Sequence, residues 1–205
     1  MMIKIAILGD IGSGKSFVAK TFGYPVFNAD EEVSKLYKKE KKIFNKLKKE
    51  LPNYIFSFPI KKKEITKAIL SDNSNLKKIV KIVHPEIQKK MKLFIKKNKH
   101  KKVVILDIPL LLENKINHKE DLLIFVQSKK LEIMKRLKKR ENFNNKLLKK
   151  FKNFQLPLDY KKNKADFIIK NDFTKKTLKK SIKLILKKIL DERSSFRHRN
   201  HRYIY

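Results

Sequence analysis

A short apolar stretch followed at once by a glycine-rich loop constrains the fold of this chain more than any other feature. Residues 3–8 read IKIAIL, which is typical of a buried strand in a parallel sheet. Residues 9–16 match the pattern G-x-x-x-x-G-K-[ST], and three of the chain's 4 glycines lie there. This concentration favours a phosphate-binding loop between a strand and a helix over a chance glycine turn.

The residue types of this loop suit the phosphates of a nucleotide. Glycines let successive backbone amides point at phosphate oxygens. Lys15 can reach the β- and γ-phosphates of ATP, and the Ser16 hydroxyl can ligate Mg²⁺. The dinucleotide pattern G-x-G-x-x-G is absent, since the glycines have the wrong spacing. We therefore expect ATP to contact Gly9, Gly12, Ser13, Gly14, Lys15, Ser16 and Phe17.

Apolar runs alternate with helical patterns along the rest of the chain. This alternation predicts an α/β fold: a P-loop NTPase core with a five-stranded parallel sheet flanked by helices. The predicted strands are residues 3–8, 24–27, 101–108, 122–126 and 166–170. The predicted helices are residues 15–22, 31–50, 61–70, 75–83, 86–97, 129–140 and 174–190. His84-Pro85 is predicted to separate the helix at 75–83 from the helix at 86–97.

The stretch between the second and third predicted strands is far longer than one crossover needs. It predicts a separate helical subdomain at residues 36–100, inserted into a core of residues 1–35 and 101–190. Residues 142–164 are polar, lysine-rich and interrupted by Pro157, which predicts a mobile segment and a lid at 141–164. Residues 191–205 carry four arginines without an apolar period, so we expect a frayed basic tail.

Two carboxylates at predicted strand ends are candidates for phosphoryl-transfer chemistry. Asp30 ends the second strand, where it could accept the proton of an attacking hydroxyl or merely cap the next helix. Asp107 ends the third strand, where a Walker B acid would hold Mg²⁺, although capping of the next turn is the alternative. Glu113, after three leucines, is as compatible with a structural role as with facing a substrate.

Basic side chains near the predicted lid are candidates for holding phosphates. Arg136 and Arg140 lie four residues apart on one helix face, and Lys161 could add charge from the lid. A solvated basic surface is the competing interpretation. His84, before Pro85, is by its chemistry alone more compatible with a structural role than with ligand binding.

The charge of the chain is unusual: 54 Lys and Arg against 20 Asp and Glu give a net charge of +34. The lysines are dispersed and Gly and Trp are scarce, which favours compositional bias over a nucleic-acid site. The chain has no cysteine and no apolar run near the roughly 20 residues that span a bilayer. We expect a cytoplasmic protein with no membrane and no specific nucleic-acid partner.

Five segments together resemble the dephospho-CoA kinase family. They are ILGDIGSGKS (7–16), NAD (28–30), VHP (83–85), DIPLLLEN (107–114) and ADFIIKN (165–171), and the resemblance extends over roughly residues 2–190. It implies that ATP, with Mg²⁺, phosphorylates the ribose 3′-hydroxyl of dephospho-CoA to give CoA and ADP, the last step of CoA biosynthesis. It also implies a P-loop kinase core with the helical insertion at residues 36–100 as its substrate-binding domain, and a lid. We expect a monomer or weak homo-oligomer.

The resemblance assigns roles residue by residue. Asp30 matches the acid that activates the ribose hydroxyl, and Lys15 and Arg140 complete the catalytic set. His84, Asp107, Glu113 and Lys161 join Asp30 on the acceptor side, and Ser16 and Asp107 are the metal candidates.

The chain also departs from the family pattern. The family usually has Gly at the position of Asp10 and often has Thr at the position of Phe17. Many members have Asp at Asn28 and Arg at Ser34, and arginines common in the lid are replaced here by Leu158 and Lys161. The alternatives are another small P-loop kinase acting on a nucleoside or nucleotide, and a nucleic-acid-binding ATPase.

Overall fold

The computed structural model describes residues 2–114, 116–141, 143–191 and 203–204. These residues divide into two compact units. The first comprises the described residues of Met1–Phe27, Asn98–Phe143 and Gln155–Tyr205, and the second comprises Asn28–Lys97 and Asn144–Phe154.

The first unit contains a parallel sheet. Its strands are β1 (Ile3–Gly9), β2 (Val26–Asn28), β3 (Val103–Asp107), β4 (Leu122–Gln127), β5 (Phe167–Lys170) and β6 (Tyr203–Ile204), in the spatial order β2-β3-β1-β4-β5-β6. The pairs β1–β3, β1–β4, β4–β5 and β5–β6 are parallel. The predicted α/β fold with five parallel strands is therefore confirmed.

The sixth strand was not predicted. Tyr203 and Ile204 pair with Phe167 and Ile168 of β5, inside the stretch expected to be frayed. Two residues are too few to show a period in sequence, so this pairing depends on tertiary contact with the sheet edge. The rest of the predicted tail, residues 192–202 and 205, lies outside the described residues.

Helices α1 (Lys15–Thr21) and α9 (Lys175–Asp191) pack against one another, and α6 (Lys130–Lys138) and α8 (Leu158–Lys164) complete the helices of this unit among the described residues. The apolar core beneath α1 and α9 explains why the strands read as continuous hydrophobic runs, because both faces of the sheet are covered. Its fully buried members include Ile5, Ile7, Val18, Ile105, Ile124, Phe167 and Ile185.

The second unit is helical. It contains α2 (Ala29–Lys39), α3 (Lys41–Glu50), α4 (Lys62–Ser71), α5 (Asn73–Lys97) and α7 (Asn145–Asn153). The Lys150 ammonium of α7 donates to the carbonyl oxygens of Ile69 and Leu70, at 2.9 and 3.1 Å, near the end of α4. A lysine thus satisfies carbonyls that the end of a helix leaves without partners.

Three predictions about helix boundaries are wrong. Residues 31–50 form two helices that separate at Glu40, whose backbone is extended. His84-Pro85 does not interrupt a helix, because α5 continues through Pro85 with Val83 and Ile87 buried on either side. No helix was predicted within residues 142–164, but α7 and α8 occupy most of this stretch, whose mobility stays a prediction.

None of the helices built by the described residues combines the length and hydrophobicity needed to cross a lipid bilayer. The functional division into core, substrate insertion and lid remains a prediction.

Candidate active site

The phosphate loop follows β1 and leads into α1, as its motif predicts. Gly9, Gly12 and Gly14 have φ values of 146°, 86° and 90°, a region that side chains rarely adopt. A Cβ atom on Gly14 would lie 2.4 Å from Asn171 Nδ2, and one on Gly12 would lie 2.9 Å from Leu137 Cγ. Conformation and space therefore both require glycine at these positions.

Polar residues after β4 and β5 brace the loop. The Ser13 carbonyl oxygen accepts hydrogen bonds from Ser128 Oγ and Asn171 Nδ2, each at 2.9 Å. Asn171 Oδ1 also accepts the Phe173 amide at 2.9 Å, so one buried side chain joins the loop to the turn before α9. None of Ser128, Asn171 and Phe173 was a predicted site residue. A usable signal was present, because Ser128 and Asn171 directly follow strands of a parallel sheet.

Lys15 is buried and folds back over its own loop. Its ammonium donates to the carbonyl oxygens of Asp10 at 2.7 Å and Gly9 at 3.2 Å. The Asp10 carboxylate accepts the Ile11 amide at 2.7 Å. The loop is thus preformed, with Lys15 beside the backbone that a nucleotide would approach, and Asp10 adds a negative charge at the same place.

The other predicted ATP contacts differ in exposure. Ser16 is exposed, and Ser13 is fully buried with its hydroxyl lacking a hydrogen-bond partner among the described residues. The Phe17 side chain packs against the apolar core, so its predicted contact with ATP would come from its backbone amide.

Arg136 of α6 and Arg140, just after α6, belong to the first unit, as does the phosphate loop. The Arg136 guanidinium is 4.2 Å from the centre of the Phe173 ring, a cation–π distance. Phe173 has a φ of 66°, and its ring is near the position that a Gly14 Cβ would occupy. Arg140 follows α6 and is exposed, and its guanidinium has no ion pair within the described ranges.

The predicted metal candidates are the exposed Ser16 and the buried Asp107 at the end of β3. No group of three His, Cys, Asp or Glu side chains suited to holding a metal occurs within residues 2–114, 116–141, 143–191 and 203–204. One hydroxyl and one carboxylate nevertheless fit Mg²⁺, because kinases hold this ion mainly through phosphates and water with only one or two protein ligands.

Glu113 and Lys161, predicted to face the acceptor, form a buried ion pair. Lys161 is 1% exposed, and its ammonium lies 2.5 Å from Glu113 Oε1. The same Glu113 oxygen accepts the Leu156 amide at 3.1 Å. The Lys161 side chain is therefore buried within the first unit and does not face solvent.

In the second unit, Asp30 is exposed in the first turn of α2. The N-cap of this helix is Asn28, whose Oδ1 accepts the Glu31 amide at 2.8 Å. The alternative that Asp30 caps the helix is therefore wrong, because Asn28 supplies the capping acceptor.

His84 lies in the middle of α5 and is half-buried. Its Nε2 atom is buried without a hydrogen-bond partner in the described part of the chain. Desolvation by burial lowers the pKa of the imidazole below its usual value of 6.5. A neutral imidazole of this kind can donate or accept one further hydrogen bond.

Comparison with a protein-family model decides the family. The model described as dephospho-CoA kinase matches residues 3–177. The chain belongs to the dephospho-CoA kinase family. This family assignment covers the phosphate loop, the helical unit and β5 together.

Curated relatives agree with it. A dephospho-CoA kinase from Wolbachia pipientis is 34% identical over 187 residues, covering 89% of this chain and 95% of the relative. One from Bartonella henselae is 31% identical over 191 residues, covering 91% and 97%. The match therefore extends over nearly the whole length of each relative.

Solved structures share the fold of this dephospho-CoA kinase family member. A Thermus thermophilus protein aligns with a TM-score of 0.71 and 25% identity, covering 92% of this chain and 98% of that one. Dephospho-CoA kinase from Campylobacter jejuni aligns with a TM-score of 0.60 and 21% identity, covering 94% and 100%. Shikimate kinase from Acinetobacter baumannii, at 0.53 and 12%, shares the fold alone.

Proposed function

We propose that this protein transfers the γ-phosphoryl group of ATP to the ribose 3′-hydroxyl of dephospho-CoA, giving CoA and ADP. The observation that carries the proposal is the braced phosphate loop within a chain that belongs to the dephospho-CoA kinase family. We further propose that the enzyme acts in the cytoplasm as a monomer or weak homo-oligomer.

The phosphate loop supplies the nucleotide side of the reaction. The amides of residues 12–16 would surround the β-phosphate, and Lys15 would exchange its backbone carbonyl partners for phosphate oxygens. Ser16 and Asp107 would hold Mg²⁺, which when bound neutralises charge on the phosphates.

Asp30, Arg140 and His84 are the candidates for the acceptor and transfer steps. The Asp30 carboxylate would take the proton of the ribose hydroxyl as its oxygen forms a bond to the γ-phosphorus and the bond from that phosphorus to ADP breaks. The exposed Arg140 guanidinium would neutralise charge on the transferring group. His84 Nε2, which lacks a partner among the described residues, would position the acceptor.

Asp30→Asn tests the assignment of the base. We expect it to lower kcat with dephospho-CoA by about 10²- to 10⁴-fold, the usual size of general-base catalysis, and to leave ATP affinity unchanged. ADP release measures kcat, and calorimetry measures ATP binding. The matched control is Glu31→Gln, the adjacent exposed carboxylate on the same helix turn, which should keep normal turnover. Full activity in Asp30→Asn would remove Asp30 as the base.

An acceptor panel tests the substrate. Wild-type enzyme with ATP and Mg²⁺ should release ADP fastest with dephospho-CoA, compared with adenosine, AMP and shikimate. Faster ADP release with a nucleoside or nucleotide would favour the alternative of another small P-loop kinase.

A further inference from the structure

The buried pair Glu113–Lys161 links the segment after β3 to helix α8. Glu113 lies six residues after Asp107, the end of β3, and Lys161 lies in α8. Glu113 Oε1 binds both the Lys161 ammonium and the Leu156 amide, so it holds the helix and the residues just before it.

Such a pair is costly to bury and is retained only where both partners are well satisfied. Removing one partner leaves an uncompensated buried charge, whereas replacing both charges by neutral groups is often tolerated. Lys161 is 1% exposed and its ammonium is paired with Glu113, so a substrate could not reach its side chain. Any effect of Lys161 on catalysis must therefore act through the position of α8, the helix that carries it.

Helix α8 packs against β1 and β4 and presents a different lysine to the phosphate loop. Lys162 lines a cavity together with Asp10 and Ser13 of the loop, and Lys130 and Asp159 also line it. The Lys162 ammonium forms no ion pair or hydrogen bond with other residues that the structure describes. It is therefore available to an anionic group entering beside the loop.

The charges of the cavity indicate what Lys162 does. Asp10 and Asp159 supply two carboxylates there, and Lys130 and Lys162 supply two ammonium groups. A triphosphate arriving at the loop would meet the Asp10 carboxylate, and this repulsion has to be offset by nearby positive charge. Lys162 is fixed on a helix whose own position depends on the buried pair.

We propose that Glu113 and Lys161 are positioning residues that hold α8 so that Lys162 contacts the transferring phosphoryl group and offsets the charge of Asp10. This inference rests on the proposed phosphoryl transfer at the loop. It reassigns Glu113 and Lys161 from substrate binding to positioning, and it adds Lys162 to the catalytic residues.

The first experiment compares two lysines of α8. Lys162→Gln should lower kcat with dephospho-CoA by about 10- to 100-fold, the effect of losing one charge-assisted contact in the transition state, without changing Tm. The control is Lys164→Gln, an exposed lysine two residues further along that lies near the Tyr160 ring and does not line the cavity. Wild-type kcat in Lys162→Gln would overturn the proposal.

A double-mutant cycle separates positioning from a merely structural role. Lys161→Met should lower both Tm and kcat, but combined with Lys162→Gln it should lower kcat no further, because its catalytic effect acts through Lys162. Lys161→Met combined with Lys164→Gln should show the full loss of Lys161→Met. Additive losses in the Lys161–Lys162 pair would overturn the proposal.

The double variant Glu113→Gln/Lys161→Met keeps the experiment informative if the single variants fold poorly. It removes both buried charges and leaves an amide oxygen for the Leu156 N–H, so Tm and most of kcat should return. Recovery of Tm without kcat, or a raised KM for dephospho-CoA alone, would mean that Lys161 contacts substrate directly, against the proposal.

The acceptor panel distinguishes failure of the proposed function from failure of this inference. If wild-type enzyme phosphorylates a different acceptor, the reaction proposed above is wrong, and the same cycle is measured with that acceptor. Loss of coupling with an acceptor that the wild-type enzyme does use counts against the positioning role alone.

Discussion

At the scale of single residues, His84 combines a buried, unpartnered ring nitrogen with a pKa lowered by desolvation. Its unfolded state binds a proton near the ordinary value of 6.5, while the folded state resists protonation. The unfolded state therefore holds more protons below that pH, and stability should fall as pH falls through about 6.5 and below.

We predict that Tm of the wild type falls more between pH 7.5 and pH 5.5 than Tm of His84→Gln, which cannot titrate there. The corresponding difference in the free energy of unfolding between the two proteins should be smaller than the ~1.4 kcal/mol per pH unit of one fully linked proton, because the imidazole is partly exposed. Thermal unfolding followed by circular dichroism measures it. His118→Gln, at an exposed position, should leave the wild-type pH dependence intact. Equal pH slopes for the wild type and His84→Gln would contradict the prediction.

Which site residues the sequence could predict depends on how local their partners are. Lys15 and the glycines of the loop belong to one short motif, so their roles follow from spacing. Asn171 acts on Ser13, which is 158 positions away, and no local pattern reports such a contact. Lys161 has the same difficulty, since its partner Glu113 is remote in sequence and only burial reveals the pair.

At the scale of secondary-structure elements, strands β1 to β5 were predictable from the sequence, and the helix boundaries were less so. Strands of a covered parallel sheet read as apolar runs, and this signal does not depend on distant partners. The break at Glu40 could not be predicted from the sequence, because Leu36, Ile43 and Leu47 keep a helical period on both sides of it. Pro85 had the opposite effect: it predicted a break that is absent, since α5 continues through it between buried Val83 and Ile87.

Pro85 should cost α5 stability, because it has no amide hydrogen for the helix ladder. We predict that Pro85→Ala raises the free energy of unfolding by about 1 to 3 kcal/mol, as measured by urea denaturation. Lys81→Ala, an exposed position one turn earlier in the same helix, is the matched control and should change stability by less than ~0.5 kcal/mol. Unchanged or lowered stability in Pro85→Ala would show that the helix is adapted to the proline.

At the scale of the whole molecule, the net charge of +34 is the property that the fold does not explain. Buried lysines such as Lys15 and Lys161 account for very few of the 54 basic residues. A chain of this charge should attract polyanions regardless of sequence, through release of condensed counterions.

We predict weak, sequence-independent binding to duplex DNA at 50 mM salt that is largely lost at 200 mM salt, without any change in the rate of ADP release. Fluorescence anisotropy measures the binding, and the ADP-release assay with and without DNA measures the coupling. Poly-lysine of similar charge is the control for a purely electrostatic effect. ATP hydrolysis stimulated by DNA or RNA at 150 mM salt would favour a nucleic-acid-binding ATPase instead.

The contact of Phe173 with the phosphate loop has a practical consequence. The ring lies beside Gly14 and under the Arg136 guanidinium, and the chain contains no tryptophan. A Phe173→Trp substitution would therefore introduce a single indole fluorophore at the base of the loop. Its emission would follow rearrangement of that loop in real time, against no intrinsic tryptophan background.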